Sequence, residues 1–152
     1  MSEQDQKTKL GKPTPFVLAV NICDSIIRDE TTKKVSLIGL FSVIRATNFP
    51  AVHPLLHIYA ALTNGHGKYK TGFRFVRIGK DEEKILPELN GELNFANPLQ
   101  VVEINFSLRN LTLNQPGTYE IQIICDGSIV GQRKFYVMPM KRMLNTDGTE
   151  VK

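Results

Sequence analysis

The sequence predicts an all-β protein, a two-layer antiparallel β-sandwich of about eight strands, immunoglobulin-like or fibronectin-like in kind. Three observations carry this. Apolar residues recur at every second position in most of the ordered chain, the period of a half-buried strand. Turn signals rich in Gly, Pro, Asn and Asp punctuate these segments at short intervals. No window of a dozen residues shows the 3.6-residue apolar period of an amphipathic helix. The 152 residues, 41% hydrophobic and 22% charged, suit one globular domain with its own core. No apolar run approaches the roughly 20 residues of a membrane-spanning helix.

The elements follow in chain order. Residues 1–13 are polar and end at Pro13, which reads as a flexible arm; residues 14–140 form the sandwich domain; residues 141–152 form a second flexible tail. In the first strand Phe16, Leu18, Val20 and Ile22 share one face, with Val17 and Ala19 on the other. Asp29–Lys34 is a polar turn. Val35, Leu37, Phe41 and Val43 then share a face, with Ile38, Leu40 and Ile44 opposite. Further strands are expected at Leu56–Leu62, Thr71–Ile78 and Glu83–Phe95, separated by Asn64-Gly-His-Gly67 and Gly79-Lys-Asp81. Asn90-Gly91 and Asn97-Pro98 are further turn signals, and Pro87 limits any helical turn near Glu82–Leu89. Val102, Ile104, Phe106 and Leu108 alternate with Glu103, Asn105, Ser107 and Arg109 in the clearest half-buried strand. Tyr119–Cys125 and the segment around Phe135 and Val137 form a hairpin about Asp126-Gly127, where glycine admits positive φ.

Leu111-x-Leu113-x-x-Pro116-Gly117-x-Tyr119 leads directly into a late strand. In sandwiches a tyrosine at that point turns its hydroxyl back onto an upstream loop, the tyrosine corner. Tyr119 is therefore the expected corner. Antibody domains place a disulfide cysteine two residues after that tyrosine and pack it against a tryptophan; this chain has Ile121 there and no Trp.

Charge and cysteines narrow the setting. The net charge of +4 is mild for this length and disfavours a dedicated nucleic-acid binder. The N-terminus lacks the basic start and apolar core of a secretory signal, so a cytoplasmic location is expected. Cys23 and Cys125 are then expected to be reduced core residues, with no C-x-x-C motif to bind metal.

Ile22-Cys-Asp-Ser-Ile-Ile27, Lys34-Val-Ser-Leu-Ile-Gly-Leu-Phe-Ser42 and Asn48-Phe-Pro-Ala-Val-His-Pro54 carry a resemblance, together with Arg109-Asn-Leu-x-Leu113, Pro116-Gly-x-Tyr119 and Asp126-Gly127…Phe135-x-Val137. Over residues 14–140 the chain resembles an uncharacterised family of small standalone bacterial proteins, a domain of unknown function. The resemblance implies an all-β fold and a bacterial cytoplasmic setting. It implies no activity, cofactor or catalytic residue.

Several residues invite a chemical reading. His53 and His57 are four apart, an even spacing that places both on one strand face and suits metal ligation, but Pro54 disturbs that regularity and no third ligand lies close in sequence. Gly65-His-Gly-Lys68 lacks the phosphate-loop pattern and reads as a hairpin loop. Lys68, Lys70 and Arg74, followed by Arg77 and Lys80, form the densest basic run and interleave with Tyr69, Phe73 and Phe75. That mixture suits anion or single-stranded nucleic-acid contact; a solvated strand face paired with Asp81–Glu83 is the plainer reading. Asp24 and Ser25 sit in an apolar strand, where a carboxylate needs a partner such as Arg28 or Arg45. No nucleophile motif, metal set or cofactor loop is present, and none is expected to be used.

Residues 16–22 and 35–44 are apolar on both faces, whereas a sandwich strand has one face to bury. Cover for Ile38, Leu40 and Ile44 comes from residues 45–54 folding back, from a switch between sheets, or from a second subunit. The leading functional expectation is a non-enzymatic interaction module, homodimeric or with another protein partner, using Ile38, Leu40 and Ile44. The alternatives are an enzyme assembled from His53, His57 and Asp24, and a weak anion or nucleic-acid binder using Lys68, Lys70 and Arg74. No membrane partner is expected.

Overall fold

The computed structural model of the chain describes residues 11–140 and Thr146. Most of the expected arm and tail lie outside the described residues. Ten strands form among them: β1 (Phe16–Arg28), β2 (Val35–Leu40), β3 (Val43–Ala46), β4 (Ala51–Thr63), β5 (Gly67–Ile78), β6 (Glu83–Lys84), β7 (Leu89–Phe95), β8 (Val102–Leu113), β9 (Gly117–Cys125) and β10 (Ser128–Pro139). They build two sheets. The smaller has the order β2-β1-β4-β8; the larger runs β3-β10-β9-β5-β6, with β7 also paired to β5. Every pairing is antiparallel except β3 with β10.

The core lies between the sheets. Val20, Ile22, Leu56, Ile58, Ala60 and Leu62 meet Phe75, Tyr119, Ile121, Ile123, Phe135 and Val137 there. Each set comes from alternate positions of its strands, the consequence of a two-residue repeat with one face turned inward. Burying so many large side chains, each worth roughly 1.5–3 kcal/mol, is the main force that stacks the sheets. The Tyr119 hydroxyl donates to the Gln115 carbonyl at 2.6 Å, so the tyrosine corner forms. Asp126 and Gly127 both take positive φ, 47° and 84°, in the tight β9–β10 turn.

Four details differ from the sequence expectation. The expected strand from Val35 to Ile44 breaks at Phe41–Ser42; β2 joins the smaller sheet and β3 the larger. That switch accounts for part of the two-sided apolarity: Ile44 is buried through β3, whereas Ile38 and Leu40 of β2 remain exposed. In β1 a bulge between Val17 and Ala19 shifts the alternation, leaving Phe16 and Leu18 exposed while Val20 and Ile22 are buried. The single strand expected over Glu83–Phe95 divides into β6 and β7 on either side of Pro87, which lacks an N–H for the ladder. Finally, Asn90-Gly91 lies inside β7 rather than in a turn.

Candidate functional site

β2 is an outer strand of the smaller sheet, paired on one side with β1. Its six residues, Val-Ser-Leu-Ile-Gly-Leu, carry no charge. Across the ladder Ser25 faces Ile38 and Ile27 faces Ser36. Directly opposed residues share a face, so Ile27 and Ile38 stand together. Both are about half exposed, at 52% and 49%, and Leu40 is exposed at 60%. Gly39 between them has φ +70°, and a Cβ there would collide with the Asp24 carboxylate. The strand thus presents apolar side chains and a free row of backbone groups, without the charges that usually guard such an edge. Ile44, expected at the same surface, is buried in the core instead, because it sits in β3 beside Val137. That placement corrects its assignment to an interface.

The residues weighed for a reaction centre have different surroundings. His53 packs on the Phe41 ring, with centroids 5.7 Å apart. His57 lines an open recess of about 460 Å³ with Ile26, Arg28, Asn105, Phe106 and Ser107. Asp24 is exposed and lies over Gly39, so it is not the buried carboxylate its apolar strand suggested. Near the recess Tyr59 donates to Glu103, and burial followed by that carboxylate pushes its phenol up to about 12. Among the described residues no three His, Cys, Asp or Glu side chains gather as metal ligands. None of their helices is long and apolar enough to cross a membrane.

The basic run on β5 is largely paired. Lys68 lies 3.9 Å from Glu92, Arg74 3.5 Å from Glu88, and Arg77 is bonded to Glu83. Arg77 leaves the face of Lys70 and Arg74 and pairs across to β6, as its opposite parity predicts. Sequence reasoning anticipated partners in Asp81–Glu83 but missed Glu88 and Glu92, which approach only because β7 doubles back along β5. On the outer side of the larger sheet the buried Gln122 amide donates to Glu120 at 2.9 Å and to Glu82 at 2.7 Å, clasping the β5–β6 connection to the sheet.

The base of the N-terminal arm is anchored. Lys12 forms an ion pair with Asp126 at 2.8 Å and lies 4.0 Å from the centre of the Tyr69 ring, while the Tyr69 hydroxyl donates to the Pro13 carbonyl at 2.6 Å. The Lys12 ammonium and the Lys70 amide hold the Asp126 carboxyl below its usual range. Cys23 and Cys125 are free and buried, and burial raises both thiols, away from the thiolate form that reacts.

A model described as a family of unknown function, DUF6941, matches residues 18–138. The chain belongs to that family. No curated protein matches this DUF6941 chain. Among solved structures it is similar to the Pseudomonas fluorescens alkylpurine DNA glycosylase AlkC bound to DNA containing an abasic site analog, at 11% identity and a TM-score of 0.39, covering 78% of this chain and 30% of that one. It is also similar to a β-glucosidase from Listeria innocua in complex with isofagomine, at 9% identity and a TM-score of 0.42, covering 83% of this chain and 16% of that one. A β-glucosidase 3B from Thermotoga neapolitana in complex with glycerol aligns at 12% identity and a TM-score of 0.34, over 78% of this chain and 17% of that one. The DUF6941 chain spans less than a third of each of these proteins.

Proposed function

We propose that this DUF6941 domain is a non-enzymatic interaction module that pairs with a second copy of itself along β2. The carrying observation is the exposure of Ile27, Ile38 and Leu40 on an uncharged edge with a free backbone row. Two antiparallel copies of one strand are self-complementary about a two-fold axis, so no second matching patch is needed. Such pairing would join two four-stranded sheets into one of eight. The ion pairs of Lys68, Arg74 and Arg77 favour this reading over anion or nucleic-acid contact, because they neutralise most of the basic run. The test is molar mass by light scattering across a concentration series. The wild-type chain is expected to approach twice its 17.1 kDa monomer mass, and Ile38→Lys or Leu40→Lys to restore the monomer. A wild-type chain that remains monomeric at its solubility limit overturns the proposal.

The sandwich in this reading is of the immunoglobulin-like kind. β1, β4 and β8 take the places of strands A, B and E, and β5, β9 and β10 those of C, F and G, with Tyr119 at the start of F. A bacterial cytoplasmic setting accompanies it, supported by two buried, unpaired cysteines.

A further inference from the structure

Beside the β9–β10 turn three groups converge on one ammonium. The Lys12 Nζ donates to Asp126 Oδ2 at 2.8 Å and to the Lys68 carbonyl, and it stands 4.0 Å from the centre of the Tyr69 ring. Two oxygen acceptors and an aromatic face are a set suited to a primary ammonium, which has N–H groups to donate and a charge to place over the ring. The cage is built by the sheet and not by the arm. Tyr69 belongs to β5, and its hydroxyl accepts from the His66 N–H at 3.0 Å, which fixes the ring without help from Lys12. Asp126 sits in its positive-φ turn, where its N–H donates to the Lys70 carbonyl and its Oδ1 accepts from the Lys70 N–H, each at 2.8 Å. The second carboxylate oxygen is left for the ammonium. Lys12, by contrast, lies before β1, outside the ladders of either sheet. Its side chain and that of Asp126 are 36% and 43% exposed, so water competes for both and their pairing is easily given up. An open recess of about 410 Å³ adjoins the cage, between Tyr69, Asp126 and Ser128 on one side and Pro13 and Pro15 of the arm on the other.

We infer that this cage is a recognition site for a lysine side chain of a partner protein, and that Lys12 holds it in the partner's place. The ligand class follows from the contacts. Two of the three are hydrogen bonds donated by the ammonium nitrogen, so a quaternary ammonium keeps only the ring. An uncharged chain end gives up the carboxylate and the ring together. A guanidinium spreads its donors over a planar fork, whereas these three groups meet at one point. The recess admits the incoming stem beside the arm. Lys12 acts as a tethered competitor, and its effective concentration sets the level that a partner lysine must exceed. The exchange conserves every contact of the ammonium, so it needs no rearrangement of β5 or of the β9–β10 turn. The site is separate from the β2 edge and stands or falls independently of it.

The test empties the cage and offers it a lysine in trans. The full chain carrying Lys12→Ala is titrated with Nα-acetyl-lysine methylamide at constant ionic strength, followed by backbone amide NMR. Saturable shifts are expected at Tyr69, Lys70 and Asp126. The wild-type chain, whose own lysine competes, should need about tenfold more ligand for the same shifts. The trimethyl-lysine and norleucine counterparts, which keep the stem but lack the N–H donors or the charge, should bind about fivefold more weakly or not at all. Asp126→Asn keeps the acceptor for the Lys70 N–H and removes the charge; added to Lys12→Ala it should weaken the lysine probe by about fivefold. Should Lys12→Ala not fold, Lys12→Gln carries the same titration. Shifts that never saturate, equal binding of the three probes, equal responses of the wild type and the Lys12 variant, or undiminished binding with Asp126→Asn overturns the inference. Binding of n-butylammonium without binding of the lysine probe overturns the assignment to a protein lysine.

Discussion

Replacing Tyr119 by Phe isolates the hydrogen bond that defines the corner. The ring remains, stacked on Phe135 with centroids 5.4 Å apart and fully buried, so the apolar contribution is retained. What is lost is one hydroxyl donating at 2.6 Å to the Gln115 carbonyl. A neutral hydrogen bond contributes about 0.5–1.5 kcal/mol net. Gln115 itself is exposed, so water can reach its carbonyl once the hydroxyl has gone, which removes the penalty of a stranded acceptor. The expected loss is therefore about 1 kcal/mol, a fall in Tm of about 2–4 °C for a domain of this size. Tyr119→Ala removes the ring as well and should cost about 3–5 kcal/mol. Tyr136→Phe, at an exposed ring on β10, serves as the control and should change nothing measurable. Urea unfolding followed by circular dichroism gives all three values. A Tyr119→Phe chain as stable as the wild type, or as unstable as the alanine variant, would refute the assignment of the corner to that single bond.

Two further outcomes follow from named contacts. Tyr59 has a folded-state pKa of about 12 against an ordinary value of 10.0, so its contribution to stability is complete below pH 10 and is lost as pH rises through 12. Tyrosinate absorbance should show Tyr59 titrating late, as buried Tyr119 also does, and Glu103→Gln should lower the Tyr59 phenol while leaving Tyr119 unmoved. Gly65→Ala would push a methyl into the buried Phe95 ring; overpacking of this kind costs about 1–3 kcal/mol, readable in the same urea experiment, with Gly11→Ala, whose Cβ meets nothing within 4 Å, as the neutral comparison.

The alternation of Val102–Leu108, the Asp126-Gly127 turn and the Tyr119 corner were legible because each rests on local chemistry: a two-residue period, a positive φ and a Pro-Gly turn. What escaped the sequence rests on distant contacts. The parity shift in β1 needs the bulge at Val17/Ala19, and no residue type there announces one. Ile44 looked like a surface candidate because residues 35–44 read as one strand; its burial follows from pairing with β10, more than ninety positions later in the sequence. Asn90-Gly91 has the strongest turn composition in its region, yet both residues extend along β5, paired with Gly72 and Thr71. The even spacing of His53 and His57 likewise failed to unite them: His53 stacks on Phe41 while His57 lines a recess beside Arg28.

The parallel seam between β3 and β10 has a consequence for how the chain matures. Val43–Ala46 leave the ribosome early, but the residues they bond, Tyr136–Pro139, are among the last of the domain to be made. Until then that border of the larger sheet has nothing to hold it, and Phe41 and Ile44 cannot settle inside. Contacts so remote in sequence form slowly, because a long loop must close before they offer any return. A nascent DUF6941 chain is thus expected to gain protease resistance in one late step, when its final strand clears the exit tunnel.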